Sequence, residues 1–159
     1  GFPNLTTQSW VWGGTPEAIA ETIRVGLNSA HPERRTSQMP AFGHDGMLKS
    51  AEIDNVVAFV RSLSDPSAKN LSAAKVTAGK ALFAANCAAC HGEDAKGNSE
   101  VGAPNLTDPF WIYGGDAQTI ETTVWGGRQG HMPTWESRLS ALDRKILALY
   151  IVDLRKPNP

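Results

Sequence analysis

Two segments of the chain have apolar residues spaced every three or four positions, which is the period of one face of a helix. Each segment follows a serine that is suited to cap the first turn, Ser50 or Ser140. Both segments are therefore predicted to be helices, and no segment shows the strict alternation that is typical of a strand. The positions that carry the pattern are Ile53, Val56, Val57 and Val60 in the first segment and Leu142, Ile146, Leu149 and Tyr150 in the second.

Composition and capping residues predict three further helices. An alanine-rich run over 75–87 keeps its larger apolar residues on one side and ends at the first cysteine. Two short helices are expected at 16–26 and 117–126, where Thr15 and Asp116 precede them as N-caps. The expected order is a long helix, a cysteine loop, a short middle helix, a methionine loop and a closing helix.

The chain contains an internal repeat, which decides its organisation before any single element does. The stretch GFPNLTTQSWVWGG at the start is nearly copied by GAPNLTDPFWIYGG at 102–115. The matches continue through Ile19 with Ile120 and through Gly26 with Gly127. Agreement over this length indicates two related units.

A second block, Met-Pro followed two positions later by an aromatic residue, also occurs twice. It begins at Met39 in the first copy and at Met132 in the second. The loop before Met39 is eight residues longer, because 13 positions separate it from Gly26 whereas 5 separate Met132 from Gly127. Met47 has no counterpart in the second copy and is predicted to pack in the core.

Between the copies, the stretch DPSAKNLSAA at 65–74 is rich in small and polar residues, as linkers are. The chain is therefore divided into a first domain over 1–65, a linker over 66–74 and a second domain over 75–159. The second domain contains every predicted element, whereas the first lacks a helix and a cysteine run before its PNLT block. The loss of that part from this chain is the expected explanation, and a degenerate domain that never had it is the alternative.

Charge and hydrophobicity exclude some functions without indicating one. The chain has 15 Lys and Arg against 16 Asp and Glu, so it offers no basic footprint for nucleic acid or an anionic membrane surface. These residues contain no run of about 18 apolar positions and no signal-peptide pattern. A hydrophobic content of 41% is enough to build a core in one or two globular domains.

Both cysteines lie in one run, CAACH at 87–91, for which three interpretations compete. A redox dithiol would leave His91 without a role. A zinc site needs four ligands, and the other three histidines lack the paired spacing of zinc-binding motifs. Covalent haem attachment uses every member of the run, because Cys87 and Cys90 bind the two vinyl groups and His91 binds the iron.

The CAACH run, the PNLTDPFWIYGG block at 104–115 and the HMPTWESRLS block at 131–140 resemble class I cytochromes c. They resemble more closely the third, di-haem subunit of cbb3-type cytochrome c oxidases, and the resemblance covers the whole chain. It implies an all-α fold of two tandem class I cytochrome c domains, the first without its N-terminal haem-attachment helix. Subunits of this family carry two such cysteine motifs and an N-terminal membrane anchor, whereas these residues contain one motif and no anchor.

Met132 is the expected second axial ligand of the iron, because an uncharged thioether stabilises ferrous haem and raises its potential. The repeat makes Met39 the equivalent ligand, and His131 is the alternative to Met132. The simplest arrangement has Met132 on the iron of His91, but crossed ligation between the domains is equally compatible with the loop lengths.

By resemblance to other class I cytochromes, the Pro104 carbonyl is expected to accept a hydrogen bond from Nδ1 of His91. Trp111, Tyr113 and Arg128 are candidates to hydrogen-bond the haem propionates through indole, phenol and guanidinium groups. Core packing is the alternative for the two aromatic residues, and a solvated loop charge is the alternative for the arginine.

The resemblance implies an electron-transfer subunit that passes electrons from a donor c-type cytochrome toward the catalytic core of a cbb3-type oxidase. The subunit would not be an enzyme on its own. One haem c is expected on this chain's motif and a second on the missing N-terminal part. The expected location is the periplasmic side of the bacterial inner membrane, anchored through the parent protein. The alternatives are a soluble di-haem carrier similar to the c4 cytochromes, a di-haem peroxidase, and a one-haem protein whose first half serves for docking.

Overall fold

The computed structural model describes residues 2–66, 68 and 70–155, and these residues form six helices and no strand. The all-α prediction is confirmed for this part of the chain. Gly1, the linker positions 67 and 69, and the end of the second predicted domain at 156–159 lie outside the described residues. The helices are α1 (Pro16–Val25), α2 (Ser50–Ser64), α3 (Ala73–Asn86), α4 (Ala88–His91), α5 (Ala117–Gly126) and α6 (Ala141–Leu154).

The capping residues predicted for three helices are confirmed. The side chains of Thr15, Asp116 and Ser140 accept hydrogen bonds from backbone N–H groups of α1, α5 and α6, at 3.2, 3.0 and 3.1 Å. The prediction that Ser50 caps α2 is wrong, because Lys49 occupies the cap position and its N–H donates to the Glu52 carboxylate at 2.8 Å.

The two repeats exchange their closing helices. The helix α2, which ends the first repeat, packs against α3 and α5 of the second repeat. The helix α6, which ends the second repeat, packs against α1 of the first. Each packing unit therefore takes its middle helix from one repeat and its closing helix from the other.

The larger of the two cores, here called the Cys87 core, joins α2 to α3 and α5. Its buried members are Phe42, Leu48, Ile53, Val56, Val57, Phe59, Val60, Phe83, Cys87, Ala95, Ile120 and Val124. The smaller Met132 core contains Ile19, Ile23 and Ala148, with partly buried residues around them that include Met132, Trp135 and Ile151.

Close contact between α2 and α3 depends on Gly79. A Cβ atom at this position would overlap the carbonyl oxygen of Asn55 and would lie 2.8 Å from the Cβ of Phe59. The backbones of the two helices meet here because the glycine has no side chain. Phe59 and Phe83 fill the space beside the crossing, with ring centroids 5.3 Å apart.

The helix α6 leaves an apolar stripe uncovered. Ile146, Leu149 and Tyr150 are 55%, 58% and 60% exposed. When the helices are aligned by their N-caps, Lys49 and Ser140, the residues Leu149 and Tyr150 match Ala58 and Phe59 of α2. Ala58 and Phe59 are only 6% and 9% exposed, and Phe59 packs against Phe83 of α3. No described helix is long and apolar enough to cross a membrane.

Candidate cofactor site

The CAACH run is folded as a single tight turn at the end of α3. Cys87 follows α3 and precedes α4. The backbone N–H groups of Cys90 and His91 both donate to the carbonyl oxygen of Cys87, at 3.2 and 2.9 Å. This turn brings two thiols and an imidazole together over five residues, as covalent attachment of a haem requires.

The two thiols have different surroundings, and both are free in the structure. Cys87 is buried against Phe83, whereas Cys90 is exposed. Burial raises the pKa of the Cys87 thiol to about 11, and the nearby Cys90 acts in the same direction to a smaller extent. A raised pKa leaves less thiolate at neutral pH, and the thiolate is the nucleophilic form.

We expect iodoacetamide at mildly alkaline pH to alkylate Cys90 at least about tenfold faster than Cys87 in the haem-free chain. The difference follows from the burial and the raised pKa of Cys87. Mass spectrometry of the digested chain measures both rates. In denaturant the two rates should become similar, and equal rates in the folded chain would contradict the burial of Cys87.

The His91 ring is oriented by a hydrogen bond to the main chain. Its Nδ1 lies 3.0 Å from the carbonyl oxygen of Pro104, so Nδ1 must carry the proton. Burial lowers the pKa of His91 and favours the neutral ring, although the bond to Pro104 acts in the opposite direction. The lone pair is then on Nε2, for which no protein partner occurs among the described residues. This arrangement fits the donor set of a haem iron.

The methionine loops are exchanged between the repeats, as the closing helices are. Met39 and Arg128 form two backbone hydrogen bonds, at 2.8 and 3.1 Å. Met132 and Leu27 form the equivalent pair, with both bonds at 2.9 Å. Each methionine loop therefore lies along the end of the middle helix of the other repeat.

Glycines permit this close approach. Gly26 and Gly127 end α1 and α5 with positive φ angles of 72° and 65°. A Cβ atom at Gly26 would overlap the carbonyl oxygen of Met132, and one at Gly127 would overlap that of Met39. The matching glycines of the repeat are thus explained by contacts across the exchange.

Met39 and Met132 pack against different cores. Met39 is packed against the Cys87 core, whereas Met132 is packed against the Met132 core with Ile19 and Ile23. These contacts join Met39, rather than Met132, to the core that contains the attachment cysteine.

The remaining candidates are partly buried or exposed. Trp111 is partly buried against the Cys87 core, and the guanidinium carbon of Arg128 lies 4.2 Å from the centre of the Tyr113 ring. His131 is exposed next to Met132. The described residues contain no group of three or more His, Cys, Asp or Glu side chains that is able to hold a metal ion.

Sequence analysis missed three polar residues near these positions. Thr123 accepts from the Arg128 guanidinium, and Arg35 makes the equivalent bond to Thr22 in the first repeat. The repeat could have identified all three, because it matches Thr22 to Thr123. It also places Arg35 four residues before Met39, as Arg128 lies four residues before Met132.

An all-α fold that presents two thiols and a histidine with a free Nε2 on one turn is that of a c-type cytochrome. Residues 74–151 match the family model of cytochrome c oxidase, cbb3-type, subunit III. The motifs of the sequence led us to expect this match.

Similarity to curated proteins extends beyond the matched segment. The chain is 52% identical over 155 residues to the cbb3-type cytochrome c oxidase subunit FixP of Bradyrhizobium sp. (strain ORS 278), an alignment that covers 97% of this chain and 52% of that protein. It is 46% identical over 152 residues to the subunit CcoP of Cereibacter sphaeroides, with 95% and 51% covered. The chain spans about half the length of the curated relatives that it matches.

Proposed function

We propose that this chain is the electron-transferring part of a cbb3-type oxidase subunit and that it binds haem c through Cys87, Cys90 and His91. The observation that carries the proposal is the His91 ring, whose Nδ1 is held by Pro104 and whose Nε2 is free, beside two thiols. Haem c, when bound, supplies a one-electron iron centre. The names of the similar proteins support the same function.

Each residue of the site has a distinct role in this proposal. The two thiols attach the cofactor, and the Pro104 carbonyl fixes the His91 ring and increases its basicity. Met39 is the sixth ligand of the iron bound by His91, which its packing against the Cys87 core supports. Trp111, Tyr113 and Arg128 bind the propionates or pack beside them. A histidine and a thioether as the two axial ligands favour the ferrous state and a high potential.

We further propose that the full-length protein binds a second haem, which Met132 ligates. The exposed stripe of Ile146, Leu149 and Tyr150 supports this, because the matching stripe of α2 is covered by α3 and α5. A helix equivalent to α3, supplied by a part of the protein outside this chain, would cover it. The two repeats, 1–65 and 75–159 joined by 66–74, are then tandem class I cytochrome c domains in sequence, with crossed ligands.

The proposed partners are the other subunits of the oxidase and a donor c-type cytochrome. The proposed location is the periplasmic side of the bacterial inner membrane, with anchoring through a segment outside this chain. Two methionine ligands would leave no open iron position for peroxide, which disfavours a peroxidase. A soluble carrier similar to the c4 cytochromes is the second candidate, and it would not co-purify with an oxidase.

The test is to replace Cys87 and Cys90 together by alanine in the full-length protein within its oxidase complex. Pyridine haemochrome measurement should return two haems per subunit for the native protein and one for the variant. Oxygen consumption with a reduced donor cytochrome should fall to a small fraction, because an electron carrier is missing. Replacement of the exposed Met47 by leucine is the control and should change neither value.

Full oxygen consumption by an assembled complex of the double-alanine variant would exclude this haem from the electron path. One haem per native subunit would overturn the two-haem proposal while leaving the attachment at Cys87 and Cys90 intact. Hydrogen peroxide turnover by the isolated native protein would favour the peroxidase alternative.

A further inference from the structure

Two arginines have equivalent surroundings in the two repeats, and each lies four residues before the methionine of its loop. Arg128 directly follows the glycine that ends α5, and its Nε and Nη2 donate to Oγ1 of Thr123 at 3.0 and 2.8 Å. Its guanidinium carbon lies 4.2 Å from the centre of the Tyr113 ring. In the first repeat the residue that follows the glycine is Leu27, which has no charge, and the arginine lies eight residues farther on, at position 35.

Arg35 fills the equivalent place from a different point in the chain. Its Nε donates at 2.9 Å to Oγ1 of Thr22, the residue that the repeat matches to Thr123. Its guanidinium carbon lies 5.1 Å from the centre of the Trp12 ring, and Trp12 is matched to Tyr113. Each repeat therefore has a guanidinium between a helix threonine and a loop aromatic ring.

The longer loop of the first repeat holds Arg35 in this place. The backbone N–H of Arg35 donates to Gly26 at 3.1 Å, and its carbonyl accepts from Asn28 at 2.8 Å. Earlier in the same loop, the buried His31 lies 2.8 Å from the carboxylate of Glu136, which follows Met132 by four residues. The additional residues of this loop are thus bonded both to the end of α1 and to the Met132 loop.

Both arginines lie beside the proposed methionine ligands. Arg128 pairs directly with Met39 through two backbone hydrogen bonds. The backbone of Arg35 forms an isolated β-bridge with Leu27, and the backbone of Leu27 also pairs with Met132. Arg128 is therefore one backbone pairing from Met39, and Arg35 is two backbone pairings from Met132.

Neither arginine has a carboxylate partner among the described residues, where the recorded ion pairs involve other cations. The acidic side chain that influences Arg35 is Glu21, but its two oxygens are held by Arg24 at 2.7 and 2.8 Å. Both guanidinium groups are partly buried. A partly desolvated cation without a counter-ion is a favourable partner for a carboxylate.

We infer that Arg35 binds a propionate carboxylate of the second haem, in the manner proposed for Arg128 at the haem of Cys87 and Cys90. The inference rests on the two-haem proposal. Arg35 is then a cofactor-binding residue of the first repeat, and Arg128 is its counterpart in the second.

The test uses the full-length protein with both haems and the variant Arg35→Gln, with Arg128→Gln as its counterpart. Removal of a neighbouring cation should lower the potential of one haem and raise the pKa of its propionate by about 1–3 units. Potentiometric titrations followed by absorbance, at a series of pH values, measure both effects. We expect each variant to alter a different haem, with a potential that newly depends on pH under weakly acidic conditions.

Arg34→Gln is the matched control, because Arg34 is exposed in the same loop, and it should leave both potentials unchanged. Arg35→Lys keeps the charge and should restore most of the potential, which separates binding from loop folding. Unchanged potentials and pH dependence in a two-haem Arg35→Gln protein would overturn this inference alone. A haem count of one in the native protein would overturn it together with the two-haem proposal.

Discussion

Replacing Met39 by alanine removes methionine ligation from the haem attached at Cys87 and Cys90, whereas replacing Met132 leaves that haem unchanged. This result is expected because Met39 is packed against the Cys87 core and Met132 against the core formed by α1 and α6. The 159-residue chain is the cleanest material, because it contains one attachment motif and the affected haem is unambiguous. The charge-transfer band of methionine-ligated ferric haem and the spin state report the ligand.

Replacement by histidine gives the size of the effect. Met39→His should keep a six-coordinate, low-spin haem but lower its potential by roughly 0.2 V, within the ~0.8 V range over which axial ligands tune haem potentials. In the full-length protein, Met132→His should lower the potential of the other haem by a similar amount. Met47→Ala is the control, since Met47 is 48% exposed rather than packed in the core as its sequence context predicted.

Loss of the methionine band on Met132→Ala, with retention on Met39→Ala, would show local ligation within the second repeat. Loss on neither substitution would exclude both methionines as ligands of this haem. The alternative ligand His131 would be indicated if His131→Ala alone changed the spectrum.

The second large effect is expected at Gly79, where α2 and α3 cross. Gly79→Ala should lower the free energy of unfolding by about 2–3 kcal/mol, because the new methyl group overlaps the Asn55 carbonyl. The cost of this overlap exceeds the gain in helix propensity of about 1 kcal/mol. For a chain of this length, the melting temperature should fall by roughly 5–10 °C. Thermal unfolding followed by circular dichroism measures the shift.

Gly126→Ala is the matched control, because Gly126 is also a helical glycine but a Cβ atom there meets no atom within 4 Å. Its melting temperature should be unchanged or slightly raised. Similar melting temperatures for the two variants would mean that α2 and α3 do not approach each other as closely as the structure describes.

The elements that local sequence controls were predictable. Thr15, Asp116 and Ser140 cap their helices as predicted, because a cap depends on a side chain and the backbone three residues away. The bond from His91 to Pro104 was expected by resemblance and is present. Ser50 failed as a cap because the neighbouring Lys49 begins α2 with a backbone bond to Glu52, which periodicity does not distinguish.

The partners of the helices were not predictable from the same patterns. The helices α2 and α6 have matching apolar stripes, and periodicity identifies the buried face of a helix without identifying what covers it. In a chain with a repeat, periodicity cannot decide between the possible helix pairs, because either closing helix suits either middle helix. For the same reason, sequence spacing left the assignment of Met39 and Met132 open. Arg35, by contrast, was within reach of the sequence, because it has the same spacing from Met39 as Arg128 has from Met132.

The exchanged helices also set an order in which the chain can finish folding. The buried residues of the Cys87 core lie between Phe42 and Val124, so this core is complete in sequence once α5 has left the ribosome. Ile19 and Ile23 of α1 are made earlier, yet their partner Ala148 follows Ile23 by 125 residues in the sequence. The Cys87 core can therefore form before α6 is made, whereas the apolar face of α1 stays uncovered until α6 follows and is exposed to aggregation for that interval.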